Sequence, residues 1–247
     1  RQAFYACKGL MNLVLGSSVR EIGDYAFQNC ELLPAIEFKD PHLEKIGSYA
    51  FYKCERLKSF DVPDSVVEIG TDAFKDTGLF SDMWVQVVYA GKWVIGTGSL
   101  FSNNIELLEG TRGIANYPFY KDTSLGSIVI PASVKYIGRG AFYGCEALKK
   151  VTIEGDPTEL VDYLFFRCYA LETVTIPASV KRIGRSAFYE CAALVNIELP
   201  AGLVEIDDYA FYTCQSLREI KIGDRVTSIG KNAFANSGLY HVTIGAG

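Results

Sequence analysis

The chain has 247 residues, of which 49% are hydrophobic and 21% charged, with a formal net charge of −5. Disorder requires few apolar residues and high net charge, and neither holds here. The acidic balance argues against a nucleic-acid binder, which needs a basic footprint, and no apolar run reaches the roughly 18 residues that span a bilayer.

Read from its start, the chain opens at Arg1 with no methionine and no signal-peptide pattern, as an excised or processed piece would. The first recognisable element is Ala3-Phe4-x-x-Cys7, and it returns along the whole length. Phenylalanine recurs at Phe4, Phe27, Phe51, Phe74, Phe119, Phe142, Phe165, Phe188, Phe211 and Phe234, spaced by 23 or 24 residues except for one gap of 45. Alanine precedes most of these, and glycine lies four before at Gly23, Gly47, Gly70, Gly138, Gly184 and Gly230. Every cysteine lies three after: Cys7, Cys30, Cys54, Cys145, Cys168, Cys191 and Cys214. The Ala-Phe-x-x-Cys segment is too short for an independent helix and predicts a single helical or 3₁₀ turn.

After each such turn comes Leu-x-x-Val-x-Ile, as in Leu171-x-x-Val174-x-Ile176, whose alternation predicts a short strand with one buried face. Pro63, Pro131, Pro177 and Pro200 close these strands. The following Val-x-x-Ile-Gly, as in Val180-x-x-Ile183-Gly184, predicts a second short strand. No 23-residue unit buries its apolar stripe alone, so the units must stack into a solenoid.

Between Phe74 and Phe119 the pattern breaks. A hairpin insertion is predicted over 80–104, with β-rich runs on either side of Ala90-Gly91 and both tryptophans, Trp84 and Trp93, inside it. Two readings stand: an aromatic binding element of Trp84, Tyr89 and Trp93 projecting from the array, or a local insertion that plugs an irregular coil. Ile105, Leu107 and Ile114 fall at strand positions, so the coil before Phe119 is degenerate rather than absent. Val161 and Asp207 stand in the glycine column, where some local geometry should differ. The odd, evenly spaced cysteines favour a column of buried thiols over disulfides, because parallel side chains keep their Cβ atoms too far apart. Where that column lapses, Thr77, Asp122 and Ser237 supply small hydrogen-bonding groups.

With these columns on the page, the repeating unit Leu-x-x-Val-x-Ile-Pro-x-x-Val-x-x-Ile-Gly-x-x-Ala-Phe-x-x-Cys resembles the BspA-type leucine-rich repeat over essentially the whole chain. The resemblance implies one domain over 1–247: a right-handed, β-rich leucine-rich-repeat arc of the α/β horseshoe class, with short helical or 3₁₀ turns and about eleven 23-residue coils. It also implies a secreted or surface-attached protein, mostly bacterial, with adhesion to host proteins among the functions of such proteins.

Residues pointing outward from each first strand should form the concave face, the usual binding surface of a solenoid. The candidates there are Glu37, Asp61, Glu106, Thr152, Thr175, Glu198 and Lys221, with Glu37, Asp61 and Glu106 as an acidic stretch. The same residues also suit a solvated β face. Eleven of the fifteen tyrosines lie next to or two before the column phenylalanine, either as a contact ladder or as packing between coils. Two histidines, His42 and His241, leave little for histidine chemistry, and no metalloprotease, P-loop or nucleophile-elbow motif occurs. The expectation is a non-enzymatic protein-binding or adhesion module with an extracellular or host protein as partner and no cofactor, metal, nucleic acid or membrane insertion. A carbohydrate- or wall-binding module and a structural spacer are the alternatives.

Overall fold

In a computed structural model, described for residues 1–82, 84–100 and 103–245, each period is one coil with a run of turns and, in most coils, two short strands. The chain is a β-solenoid, and its coils divide between two compact units, Arg1–Leu100 with Arg112–Pro118, and Phe101–Thr111 with Phe119–Gly247. Positions 83, 101 and 102 of the expected insertion lie outside the described residues.

In the first unit, Phe4, Phe27, Phe51 and Phe74 stack with ring centroids 5.1, 5.4 and 5.4 Å apart. Strand Val14–Leu15 pairs in parallel with Glu37–Phe38, forming the first row. Glu21–Ile22, Lys45–Ile46 and Glu68–Ile69 form the second, with Ile22, Ile46 and Ile69 in register and buried. Residues 59–62 make no strand; there the bulkier Phe60 takes the core position and packs edge-on against Phe74 at 4.7 Å.

The hairpin pairs Val87–Ala90 with Trp93–Thr97 antiparallel, Ala90 opposite Trp93. Its tight turn is therefore Gly91-Lys92, one residue beyond the expected position, with Gly91 at φ +53°. Trp93 and Val94 also pair in parallel with Gly113 and Ile114, so the second hairpin strand is part of the solenoid wall.

In the second unit, six rings from Phe119 to Phe234 stack at 5.0 to 5.6 Å, inside the range favoured for aromatic pairs. The first row holds Asn104–Glu106, Ser127–Ile130, Lys150–Ile153 and Thr173–Thr175 in one parallel ladder. Ile105 sits opposite Ile128, so the degenerate coil keeps its register. Glu219–Ile222 and His241–Ile244 pair separately. The second row runs Glu159–Leu160, Arg182–Ile183, Glu205–Ile206 and Ser228–Ile229.

The Ala-Phe-x-x-Cys segment departs from expectation. It is not helical, and Gly78–Phe80 is the one 3₁₀ helix among the described residues. In every coil the residues two before and two after the phenylalanine have positive φ, from Gln2 and Ala6 to Asn232 and Asn236. A left-handed residue every fourth position prevents a helix from propagating. The backbone donors alternate instead: Tyr25, Phe27 and Asn29 donate to Ser48, Ala50 and Tyr52 of the following coil at 2.8–2.9 Å, while Ala26, Gln28 and Cys30 donate three residues back at 3.2–3.3 Å. Every N–H of the run is thereby satisfied without helix. On the strand side, parallel pairing exchanges bonds both ways, and Glu37 N donates to Leu13 O and Gly184 N to Leu160 O of the preceding coil.

The glycine column serves close approach. A Cβ on Gly230 would lie 2.3 Å from Asp208 N. Val161 and Asp207 stand in the same column, and Asp207 uses its side chain to accept from Arg182.

Candidate interaction surface

The thiol column is part of the scaffold. All seven cysteines are free, and all but Cys7 are buried. Each buried thiol donates to the carbonyl of the preceding coil's phenylalanine: Cys145 to Phe119, Cys168 to Phe142 and Cys191 to Phe165, at 3.0–3.1 Å. Burial pushes the Cys54 and Cys214 thiols up to about 12 and those of Cys145, Cys168 and Cys191 well above the ordinary value. Such thiols are poor nucleophiles. Thr77 replaces the bond by donating to its own Phe74 carbonyl at 2.7 Å, and Asp122 accepts from Ser124 N and Leu125 N.

The outward strand face is divided. In the first unit Glu37 is exposed on a strand and Asp61 is exposed on the coil without one, against which the Gly91 turn packs. Glu106 belongs to the second unit, where it continues through Val129 and Thr152 to Thr175 as one cross-strand column. Glu106 and Thr175 are exposed and Thr152 half-buried. Glu198 and Lys221 flank a groove of about 540 Å³. Thus Glu106, Thr152 and Thr175 form one set and Glu198 and Lys221 another.

The aromatic candidates separate as well. Trp84 is 82% exposed, but Trp93 is 1% exposed and Tyr89 half-buried. Trp93 therefore does not project as a contact residue. Its indole fills the core where Gly113 leaves room, since a Cβ there would lie 2.6 Å from the ring. The tyrosine stripe of the second unit is a stack: Tyr120, Tyr143, Phe166, Tyr189 and Tyr212 follow at 5.3, 4.5, 4.6 and 4.9 Å, nearly parallel. The inner rings Tyr143, Phe166 and Tyr189 are covered on both faces by their neighbours, while Tyr120, at the end of the stack, is exposed.

One feature gave no signal in the repeat columns. Arg182 donates to Glu159 at 2.6 Å, Asp162 at 3.0 Å and Asp207 at 2.5 Å, with Glu205 at 3.7 Å. Partial burial disfavours its charge, but the three carboxylate hydrogen bonds outweigh that and raise its pKa. It staples three coils of the second row. Among the described residues no cluster of His, Cys, Asp or Glu is suited to hold a metal ion, and no helix is long and apolar enough to cross a membrane.

The chain is similar to two solved bacterial structures. One is a leucine-rich repeat protein from Bacteroides ovatus, 26% identical, with 95% of this chain and 78% of that chain covered and a TM-score of 0.53. The other, from Eubacterium ventriosum, is 20% identical with 96% and 79% covered and a TM-score of 0.57, a likeness of fold alone. No curated protein matches the chain. The profile of the BspA type leucine rich repeat region matches in six copies over residues 1–86 and 112–244, leaving out the hairpin's paired strands. With the stacked rings, paired strand rows and repeat columns in agreement, the chain belongs to the BspA-type leucine-rich repeat family.

Proposed function

We propose that this chain is a non-enzymatic, surface-displayed adhesion module that binds an extracellular or host protein through the outward face of its first strand row. The observation that carries the reading is the in-register column Glu106, Val129, Thr152 and Thr175, whose side chains point away from the core. Solenoids use such extended faces for binding. The inert thiols of the cysteine column fit a scaffold better than a catalyst. The family resemblance supports a secreted or surface address.

The test is a plate assay against immobilised extracellular-matrix proteins. Saturable binding is expected to weaken about tenfold in Thr152→Arg/Thr175→Arg, because two long charged side chains obstruct the face. Absence of saturable binding to every matrix protein, or binding indifferent to these changes, overturns the proposal.

A second reading rests on Trp84, whose 82% exposure gives an apolar ring free to stack on a sugar. In that case a glycan array gives hits, and the ligand shifts the fluorescence of the wild type but not of Trp84→Phe. A blank array removes it.

A further inference from the structure

The first strand row of the second unit is interrupted once. Its four-stranded ladder ends at Thr173–Thr175, and pairing resumes only between Glu219–Ile222 and His241–Ile244. Residues 195–199, between these strands, carry no strand pairing. The same coils remain in contact elsewhere: Phe188 and Phe211 stack at 5.0 Å, and Arg182, Glu205 and Ser228 keep register in the second row. The opening is therefore local to the outward strand face.

The groove of about 540 Å³ lies at this opening, a size in the usual range for ligand sites. Ile197 and Leu199 give it an apolar lining. Around them stand four exposed charges, Glu198 and Asp224 acidic, Lys221 and Arg225 basic. None of the four is in an ion pair among the described residues, whereas facing charges elsewhere pair between coils, as in Lys45–Glu68 at 3.0 Å, Lys8–Glu31 at 2.7 Å and the Arg182 staple. At Gly223, on the groove wall, an added Cβ would meet nothing within 4 Å.

We propose that this groove binds an extended peptide segment carrying both an acidic and a basic side chain; the inference rests on the first strand row being the binding face and names what one part of it takes. A ligand of one sign meets two like charges here and is repelled by half the site. A mixed-charge peptide satisfies both pairs. Its main chain supplies donors and acceptors for the backbone of residues 195–199, which takes no part in the ladder.

The experiment is fluorescence anisotropy of the whole chain with four labelled hexapeptides: one alternating Glu and Lys, one of Lys, one of Glu and one of Ser. The mixed peptide is expected to bind saturably and the other three about tenfold more weakly. Lys221→Glu is expected to weaken the mixed peptide about tenfold. Gly223→Trp fills open space, so it abolishes binding at an unchanged melting temperature. Equal affinity for a single-sign peptide, binding that survives Gly223→Trp, or no saturation overturns the proposal. Matrix binding that stays sensitive to Thr152→Arg/Thr175→Arg while the mixed peptide fails removes the groove alone; peptide binding without matrix binding removes the wider reading alone.

Discussion

Cys168 illustrates how a single side chain serves the array. Its Sγ donates to Phe142 O at 3.0 Å, and the same carbonyl accepts from Cys145 N at 3.2 Å. Phe142 O is thus shared between its own coil and the next. The buried thiols stay protonated in the fold, with Cys54 and Cys214 at about 12 against an ordinary 9.0. Above pH 9 the unfolded chain loses thiol protons that the folded one retains, so this part of the stability is full below pH 9 and is lost as pH rises towards 12. Denaturant midpoints measured between pH 8 and 11 are expected to fall with pH, and a thiol reagent at pH 8 to label Cys7 alone until the protein unfolds. The fixed Phe-to-Cys spacing made the buried thiols legible, because parallel side chains on a regular period cannot meet as disulfides. The Arg182 staple was not legible, because its partners Glu159, Asp162, Glu205 and Asp207 come from the two flanking coils and from positions that other repeats fill with unrelated residues.

At the scale of elements, both strand rows follow from Leu-x-x-Val-x-Ile and Val-x-x-Ile-Gly, and Ile105 was enough to place a degenerate coil in register. The turn run was misread for a physical reason. Its left-handed positions hold Tyr49, Lys53, Arg167 and Thr213 as readily as Gly140 and Gly144, so no glycine punctuation announces them. Intercoil bonds from Phe27 to Ala50 and their equivalents hold those residues in place. Thr213, β-branched at φ +60°, carries the most strain by type. Asn29 and Asn236 occupy the same column at φ +61° and +58°. Thr213→Asn is therefore expected to stabilise by about 1 kcal/mol, seen as a higher melting temperature. Trp93 was ambiguous for a related reason: a β-rich hairpin with an indole reads the same whether it projects or joins the wall, and its pairing with Gly113 decides the matter.

Across the molecule, the 23-residue period carries the fold, and each coil is stabilised by its neighbours. Within the second unit Phe165 lies fully buried between Phe142 and Phe188, with centroids 5.6 and 5.3 Å away. Phe165→Ala is expected to cost about 3–5 kcal/mol in chemical denaturation, since two rigid rings limit collapse of the cavity. Ligand chemistry is far less legible at this scale, because repeated positions record what stacking demands, whereas the groove beside Glu198 and Lys221 arises where strand pairing lapses although Leu194, Ile197, Leu199 and Pro200 keep the repeat.

The turn-side hydrogen bonds have an electrostatic outcome. An α-helix lines up its peptide dipoles and acquires partial charge at both ends. Here the turn side sends alternate N–H groups forward in successive coils, as from Tyr25 to Ser48 and from Phe165 to Ala187, whereas a parallel strand pair such as Val14–Leu15 with Glu37–Phe38 exchanges its bonds both ways. Only the turn side therefore aligns peptide dipoles along the stack, and each added period lengthens that one polar row.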